Sequence, residues 1–150
     1  MTAALDPPVV AIGTDVLGIA GVGASLDRFG DRYLRHVYTS EEIRACEAKG
    51  VFRGTAYAAR FAAKEAVIKV LGSTEVSFRE VEIDLREGET GREPTGGVRV
   101  QLHRRAAVHA ERCAIATIQV CVGYGREYAM ATAIGFAAAP AEAAREGSSS

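Results

Sequence analysis

Residues 54–71 (GTAYAARFAAKEAVIKVL) form the segment that most constrains how this chain can fold. Their alanine, arginine, glutamate and lysine content favours a helix, and Gly72 follows directly, a residue type that commonly ends helices. Several apolar and small side chains indicate that much of the helix surface is packed: Phe61, Ala62, Ala66 and Ile68. The segment therefore predicts one long helix that is covered by other elements of the protein.

Five other segments are predicted to be strands. Residues 9–16 (VVAIGTDV) are rich in β-branched side chains and are expected to form a buried strand. Apolar and polar residues alternate at 76–85 and at 98–102, which is typical of half-buried strands. The last two predicted strands are expected to be joined by a Gly-Tyr-Gly turn at 123–125, and they span 114–122 and 128–138.

Three further helices are predicted between these strands. The glycines of residues 18–23 (GIAGVG) are expected to loosen the backbone before a helix at 24–37. Thr39 or Ser40 is expected to cap a second helix that ends near residue 49, because acidic residues follow in its first turn. The third helix is expected at 104–112.

These elements predict an α+β fold in which a small antiparallel sheet packs against the long helix. The length of 150 residues suits a single domain, which we expect at 1–138. Residues 139–150, which end in Gly147 and three serines, are expected to form a disordered, low-complexity tail.

Composition and charge exclude several classes of protein. Eighteen Lys and Arg against nineteen Asp and Glu give a net charge of −1, which argues against a general nucleic-acid or anionic-membrane binder. The chain has no run of about 18 apolar residues that could span a membrane. Its three cysteines are widely spaced and lack a Cys-x-x-Cys pair, so we interpret them as reduced, mostly buried thiols of a cytoplasmic protein.

Two acids stand out because of their neighbours. Asp15 lies at the end of a predicted strand that is otherwise apolar or small, and Glu65 lies in the packed helix. A buried carboxylate needs a compensating partner, so each could form a salt bridge or a helix cap. Glu65 and Lys69 could form a helical ion pair, or Glu65 could bind a cation while Lys69 points at the same anionic ligand. The second alternative suits Mg²⁺ with a phosphate better than zinc, but spacing alone leaves both open.

Known nucleotide-binding loops are not matched by the glycine-rich residues 18–23. The spacing of these glycines does not fit the dinucleotide-binding motif G-x-G-x-x-G. The chain also has no G-x-x-x-x-G-K-[ST] loop for a nucleoside triphosphate. A nicotinamide-dependent oxidoreductase is therefore a remote third hypothesis.

Two segments resemble the signature of the holo-acyl carrier protein synthases, the small group I 4′-phosphopantetheinyl transferases. They are residues 12–16 (IGTDV) and residues 60–69 (RFAAKEAVIK). The resemblance extends over roughly residues 9–136 and includes Gly72, the turn at 91–94 (GREP) and the last strand from Tyr128. It implies the fold of this family.

The resemblance also implies a reaction, the Mg²⁺-dependent transfer of 4′-phosphopantetheine from coenzyme A to a serine of an apo acyl carrier protein. Adenosine 3′,5′-bisphosphate would be released. By the family pattern, Asp15 and Glu65 are expected to bind Mg²⁺, and Glu65 and Lys69 to be catalytic. Residues expected to contact coenzyme A are Arg60, Lys64, Lys69, Gly72, Pro94 and Tyr124. Arg60 and Lys64 would support either phosphate or neighbouring-subunit contacts.

The family resemblance further implies partners. Members are typically homotrimers whose sites lie between two subunits, and they act in the cytoplasm in fatty-acid or polyketide synthesis. An acidic acyl carrier protein is expected to dock on a basic helix near the N-terminus, through Arg28, Arg32, Tyr33 and Arg35.

This sequence departs from the family pattern at three places, one of which is the turn at 91–94, which is one residue longer than the usual turn. Tyr124 stands where many members have a histidine that helps to bind coenzyme A, and Gly18 and Gly21 replace a glutamate and an arginine of many members. These changes keep a second hypothesis open, a catalytically weakened member that acts as a coenzyme A or carrier-protein binding module.

Overall fold

The computed structural model describes residues 7–85 and 97–139 and has an α+β architecture. The strands are β1 (Val9–Gly18), β2 (Val81–Leu85), β3 (Val98–Leu102), β4 (Thr117–Tyr124) and β5 (Tyr128–Phe136). The helices are α1 (Ile19–Val37), α2 (Ser40–Glu47), α3 (Arg53–Leu71) and α4 (Arg104–Arg112). Short 3₁₀ turns occupy Gly50–Phe52 and Phe78–Glu80. The predicted α+β class is confirmed.

The strands form two antiparallel sheets. Three strands pair in the order β1-β5-β4, and β2 pairs with β3. Helix α3 packs on one face of the three-stranded sheet and also contacts β2. Its predicted position is confirmed to within one residue, and Gly72 ends it in the left-handed conformation with φ of 64°. The predicted long helix is therefore the centre of the fold.

Close packing between α3 and the sheet depends on small residues. Ala59, Ala62, Ala63 and Ala66 of α3 are completely buried. A Cβ atom built on Gly13 of β1 would lie 2.1 Å from the carbonyl oxygen of Ala66. Because that distance is far below a van der Waals contact, β1 and α3 can approach as they do only with glycine at this position.

A second cluster of buried side chains joins α1 and α2 to the first half of α3. Its buried members include Tyr38, Cys46 and Tyr57. The cap of α2 matches its prediction, since Thr39 and Glu42 form a reciprocal capping box. Cys46 is buried as expected, but Cys121 is exposed, so the prediction of mostly buried thiols is only partly correct.

Helix α1 begins at Ile19, five residues earlier than predicted, so the glycines at 21 and 23 lie inside it. Glycine inside a helix is unfavourable in free energy, but here the burial of Val22 in the second cluster outweighs that cost. Gly30 has φ of 50° and ψ of −135°, which divides α1 by a kink. Few residues other than glycine adopt that conformation.

Several predicted strand boundaries were wrong: β1 extends to Gly18 rather than to 16, β4 begins at Thr117 rather than at 114, and β5 ends at Phe136 rather than at 138. Of the expected strand at 76–85, only residues 81–85 pair as a strand, because Ser77 and Glu80 form a capping box that favours a 3₁₀ turn. Strand β4 continues through Tyr124, and the turn that follows is closed by a hydrogen bond from the Gly125 amide to the carbonyl of Tyr128. The expected tail at 139–150 lies outside the described residues except for residue 139.

Large apolar side chains remain exposed on the sheet face that points away from α3. Ile12 and Val16 of β1 are 63% and 61% exposed, and Tyr128 and Met130 of β5 are exposed to a similar degree. Val16 pairs with Met130 in the register of the sheet. We call the surface formed by these four side chains the outer sheet face. Among the described residues, no helix is long and apolar enough to cross a membrane.

Candidate functional site

The structure brings Asp15 of β1 and Lys69 of α3 together. Lys69 Nζ lies 3.0 Å from Asp15 Oδ1 and donates a second hydrogen bond, of 2.6 Å, to the carbonyl oxygen of Thr14. Asp15 lies inside the strand rather than at its end, opposite Ala131 of β5. Lys69 therefore does not form an isolated helical ion pair with Glu65, because its side chain extends to β1 and pairs with Asp15 instead.

Glu65 lies one helical turn before Lys69 and belongs to the same electrostatic cluster. Burial raises the pKa of its carboxyl group, the Asp15 carboxylate raises it further, and the Lys69 ammonium opposes the shift. Within the described part of the chain, Glu65 has no hydrogen bond or ion pair. Two carboxylates thus share one ammonium, which leaves an excess of negative charge at the junction of β1 and α3.

This donor set fits Mg²⁺. Two carboxylates supply the oxygen ligands that Mg²⁺ prefers, and Mg²⁺ sites commonly use only one or two carboxylates with water and substrate phosphates. Residues 7–85 and 97–139 contain no group of three or more His, Cys, Asp or Glu side chains that could hold a metal ion. The remaining ligands would therefore have to come from water or from a bound phosphate.

Lys64, expected to contact coenzyme A, is instead committed to the interior. Its Nζ lies 2.7 Å from Glu42 Oε2 and donates hydrogen bonds of 2.9 and 2.6 Å to the carbonyl oxygens of Phe78 and Val81. Both charged side chains are almost completely buried. An ammonium has three donors, and all three are used, so the expected ligand contact is corrected to a structural ion pair.

Arg60 is also buried, with only 4% of the residue exposed. Its Nη1 donates a 3.3 Å hydrogen bond to the carbonyl oxygen of Ala56, and its Nε has no partner among the described residues. The guanidinium lies near Cys46, whose pKa is nevertheless raised to about 12 by burial. Arg60 is therefore packed between α2 and α3, and a ligand would have to enter this packed region to reach it.

The other residues expected to contact coenzyme A lie at the edges of elements. Gly72 ends α3, where its amide donates a 3.0 Å hydrogen bond to the carbonyl of Ile68. Tyr124 ends β4, pairs with Ala129 on the sheet face that carries α3, and is 57% exposed. Pro94 and the rest of the turn at 91–94 lie outside the described residues.

The four residues expected to bind a carrier protein lie in the second half of α1. Arg28 and Arg32 are exposed, and the Arg28 guanidinium lies over the ring of Phe29, 5.1 Å from its centroid. Arg35 pairs with Asp31 at 3.5 Å on the surface. Tyr33 is half-buried against Tyr38, so its ring belongs to the second cluster rather than to the open surface.

Two residues that support the site were not singled out from the sequence. Gly13 was recognised only as part of the strand, although it determines how closely α3 approaches. Glu42 was recognised as a first-turn acid, and only the fold reveals that it neutralises Lys64. The available signals were a glycine inside an otherwise β-branched strand and an acid three residues after a capping threonine.

Comparison with known proteins decides the family. A family model described as the 4′-phosphopantetheinyl transferase superfamily matches residues 11–133. The chain belongs to this superfamily. Among its relatives, the holo-[acyl-carrier-protein] synthase of Methylorubrum extorquens strain PA1 is 43% identical over 100 residues, which cover 64% of this chain and 73% of the relative.

Solved structures of transferase-family members share the fold. The holo-acyl carrier protein synthase of Plasmodium yoelii superposes with a TM-score of 0.73 at 21% identity, covering 89% of this chain and 99% of that protein. The synthase of Helicobacter pylori, solved in complex with coenzyme A, has a TM-score of 0.67 at 22% identity and covers 83% and 99%. These structures confirm the fold, and the family model together with the curated relatives confirms the expected resemblance to holo-acyl carrier protein synthases.

Proposed function

We propose that this protein transfers 4′-phosphopantetheine from coenzyme A to a serine of an apo acyl carrier protein, in a Mg²⁺-dependent reaction that releases adenosine 3′,5′-bisphosphate. The observation that carries the proposal is the junction of Asp15, Glu65 and Lys69 between β1 and α3. The coenzyme A complex of the Helicobacter pylori synthase supports the choice of donor substrate. We place the reaction in cytoplasmic fatty-acid or polyketide synthesis.

The chemistry is phosphoryl transfer, which depends mainly on positioning and on neutralising charge. The serine oxygen bonds to the phosphorus that carries pantetheine, the diphosphate bridge breaks, and the electron pair stays on the departing bisphosphate. Asp15 and Glu65 would hold Mg²⁺, which when bound neutralises charge on the diphosphate. Lys69 contributes an ammonium at the same place, and Glu65 is the candidate acceptor for the serine proton.

The test is the gain in mass of an apo acyl carrier protein incubated with coenzyme A and Mg²⁺. We expect wild type to convert the carrier protein and Glu65→Ala to lose conversion by orders of magnitude. Glu111→Ala removes an exposed acid from α4 and should convert at the wild-type rate. Equal conversion by wild type and Glu65→Ala, or none by wild type with carriers from several pathways, would refute the proposal.

We further propose a homotrimer, in which the outer sheet face of each copy is covered by its neighbours. Ile12, Val16, Tyr128 and Met130 each expose more than half of their surface on this one face, and exposed apolar surface of this kind is found at subunit contacts. A chain of this length also buries a smaller share of its surface than a larger domain does. Light scattering of the purified protein measures the assembly directly, and a monomeric mass would contradict the proposal.

For the carrier protein we propose docking on the exposed arginines of α1. Among the described residues, Arg28 and Arg32 pair with no acidic side chain, and both are exposed to solvent, where they complement an acidic surface. Reversing one charge, Arg32→Glu, should raise the KM for the carrier protein while leaving coenzyme A binding unchanged. An unchanged KM would remove α1 from the docking surface.

The weakened binding module remains the alternative function. It is favoured by Tyr124, whose ring is largely exposed at the end of β4 where many family members have a histidine. Titrating coenzyme A with and without Mg²⁺ separates the two functions. Tight, metal-independent binding without transfer would favour the module.

A further inference from the structure

The ion pair between Lys69 and Asp15 bears directly on how a cation would enter this site. Lys69 Nζ donates a 3.0 Å hydrogen bond to Asp15 Oδ1 and a 2.6 Å hydrogen bond to the carbonyl oxygen of Thr14, which holds the ammonium in place. The Asp15 side chain is only 19% exposed, whereas the Lys69 side chain is 49% exposed. The lysine thus covers a carboxylate that has little other access to solvent.

A divalent cation and this ammonium would compete for the Asp15 carboxylate, whose Oδ1 already accepts the hydrogen bond from Lys69. With two carboxylates and one ammonium, the local charge is −1, so the site attracts a cation, but Asp15 is already partly neutralised. Glu65 has no such partner among the described residues, and a single free carboxylate is a weak site for Mg²⁺. A bound diphosphate weakens the competition of Lys69 for Asp15, because the diphosphate oxygens offer the ammonium an alternative hydrogen-bond acceptor.

We propose that Lys69 acts as a competitor for the metal site in the free protein, and that the diphosphate of coenzyme A relieves this competition by drawing the ammonium away from Asp15. The inference rests on the proposed function and adds a coupling to it. Metal and diphosphate then strengthen each other's binding by the same factor, since coupling between two ligands is reciprocal. In the free protein Lys69 positions Asp15, and in the complex with coenzyme A it binds the diphosphate.

Removing the ammonium tests the competition. We expect Lys69→Met to bind Mn²⁺ about two- to fivefold more tightly than wild type when coenzyme A is absent, the range for a partly exposed ion pair. Coenzyme A should tighten Mn²⁺ binding to wild type by a larger factor than to Lys69→Met. Free Mn²⁺ is measured by electron paramagnetic resonance, and circular dichroism checks that the variant is folded.

The matched control is Arg44→Gln, which also removes one positive charge. Arg44 pairs with Glu41 on the surface of α2 and makes no contact with the site. Its Mn²⁺ affinity should equal that of wild type. A comparable gain in this control would assign the effect to net charge and overturn the proposal.

A second measurement follows the ammonium itself. The chain has only three lysines, so the side-chain ¹⁵N signals of Lys69 and buried Lys64 can be distinguished by substitution. Adding Mg²⁺ with coenzyme A should shift the Lys69 signal and leave that of Lys64 unchanged.

Besides a comparable gain in the Arg44→Gln control, two results overturn the proposal. One is unchanged or weaker Mn²⁺ binding by Lys69→Met without coenzyme A, including no binding by either protein. The other is a Lys69 signal that does not respond. Failure of the proposed function would instead appear as absent transfer by wild type in the mass assay.

Discussion

The contact between Gly13 and α3 yields the sharpest prediction about how the fold builds its site. In Gly13→Ala, the new methyl group would lie 2.1 Å from the Ala66 carbonyl oxygen, 2.9 Å from Lys69 Cβ and 3.1 Å from the Val70 amide nitrogen. Because two of these atoms are backbone, no rotamer change relieves the clash. Helix α3 must retreat by about 1 Å to restore an ordinary contact distance.

Two consequences of that retreat can be worked out. Overpacking of this kind costs about 1–3 kcal/mol, which for a chain of this size lowers the melting temperature by roughly 2–4 °C for each kcal/mol. The Lys69–Asp15 distance of 3.0 Å would lengthen to about 4 Å, beyond hydrogen-bonding range. Gly13→Ala should therefore lose both stability and the ordered ion pair.

Urea denaturation followed by circular dichroism, at equal protein concentrations, measures the stability change. Gly18→Ala is the matched control in the same strand, because nothing lies within 4 Å of its added Cβ and its φ is −77°. That control should be neutral or gain about 0.4–1 kcal/mol by restricting the unfolded chain. Equal free energies of unfolding for the two variants would refute the packing argument.

Three further predictions concern other parts of the molecule. Lys64→Met should cost about 3–5 kcal/mol in urea denaturation, because it leaves the Glu42 carboxylate buried without its cation, and Glu42→Gln in the same chain should recover part of the loss. The pKa of Glu65 is higher in the folded protein than in the unfolded chain. The protonated carboxyl group therefore contributes to the free energy of unfolding at low pH, and this contribution is lost as pH rises above the ordinary glutamate pKa. Without metal, the melting temperature of Glu65→Gln relative to wild type should therefore rise as pH increases from the ordinary glutamate pKa through the native pKa of Glu65 and then level off, and a gap that does not change with pH would contradict this. Met130→Lys should reduce the mass of the assembly in light scattering, and an unchanged mass would exclude the outer sheet face as the contact.

Local patterns were sufficient to predict most elements but not their contacts. The alanine-rich helix and the β-branched strand at residue 9 have strong intrinsic preferences, so their positions were predictable. The start of α1 was not predictable. Val22 is buried in a cluster whose other members are distant in sequence, and this burial outweighs the free-energy cost of the neighbouring glycines in a helix. The expected roles of Asp15 and Glu65 stay predictions, and the partner of Lys69 was not predictable, since it lies 54 residues away.

The expectation that Lys64 contacts a ligand came from the family resemblance, and nothing in the local pattern indicated its buried partner, Glu42. Consecutive residues of a helix point about 100° apart, so Lys64 and Glu65 must face different neighbours. The buried pair with Glu42 directs Lys64 towards α2 and β2 and thereby sets the rotation of α3 about its axis. With Lys64 held there, Glu65 and Lys69 are directed towards β1, where Gly13 allows the approach and Asp15 receives the ammonium. Lys64 thus contributes to the site through orientation: in Lys64→Met, the ¹⁵N signal of Lys69 should change although the substituted side chain touches neither Asp15 nor a phosphate.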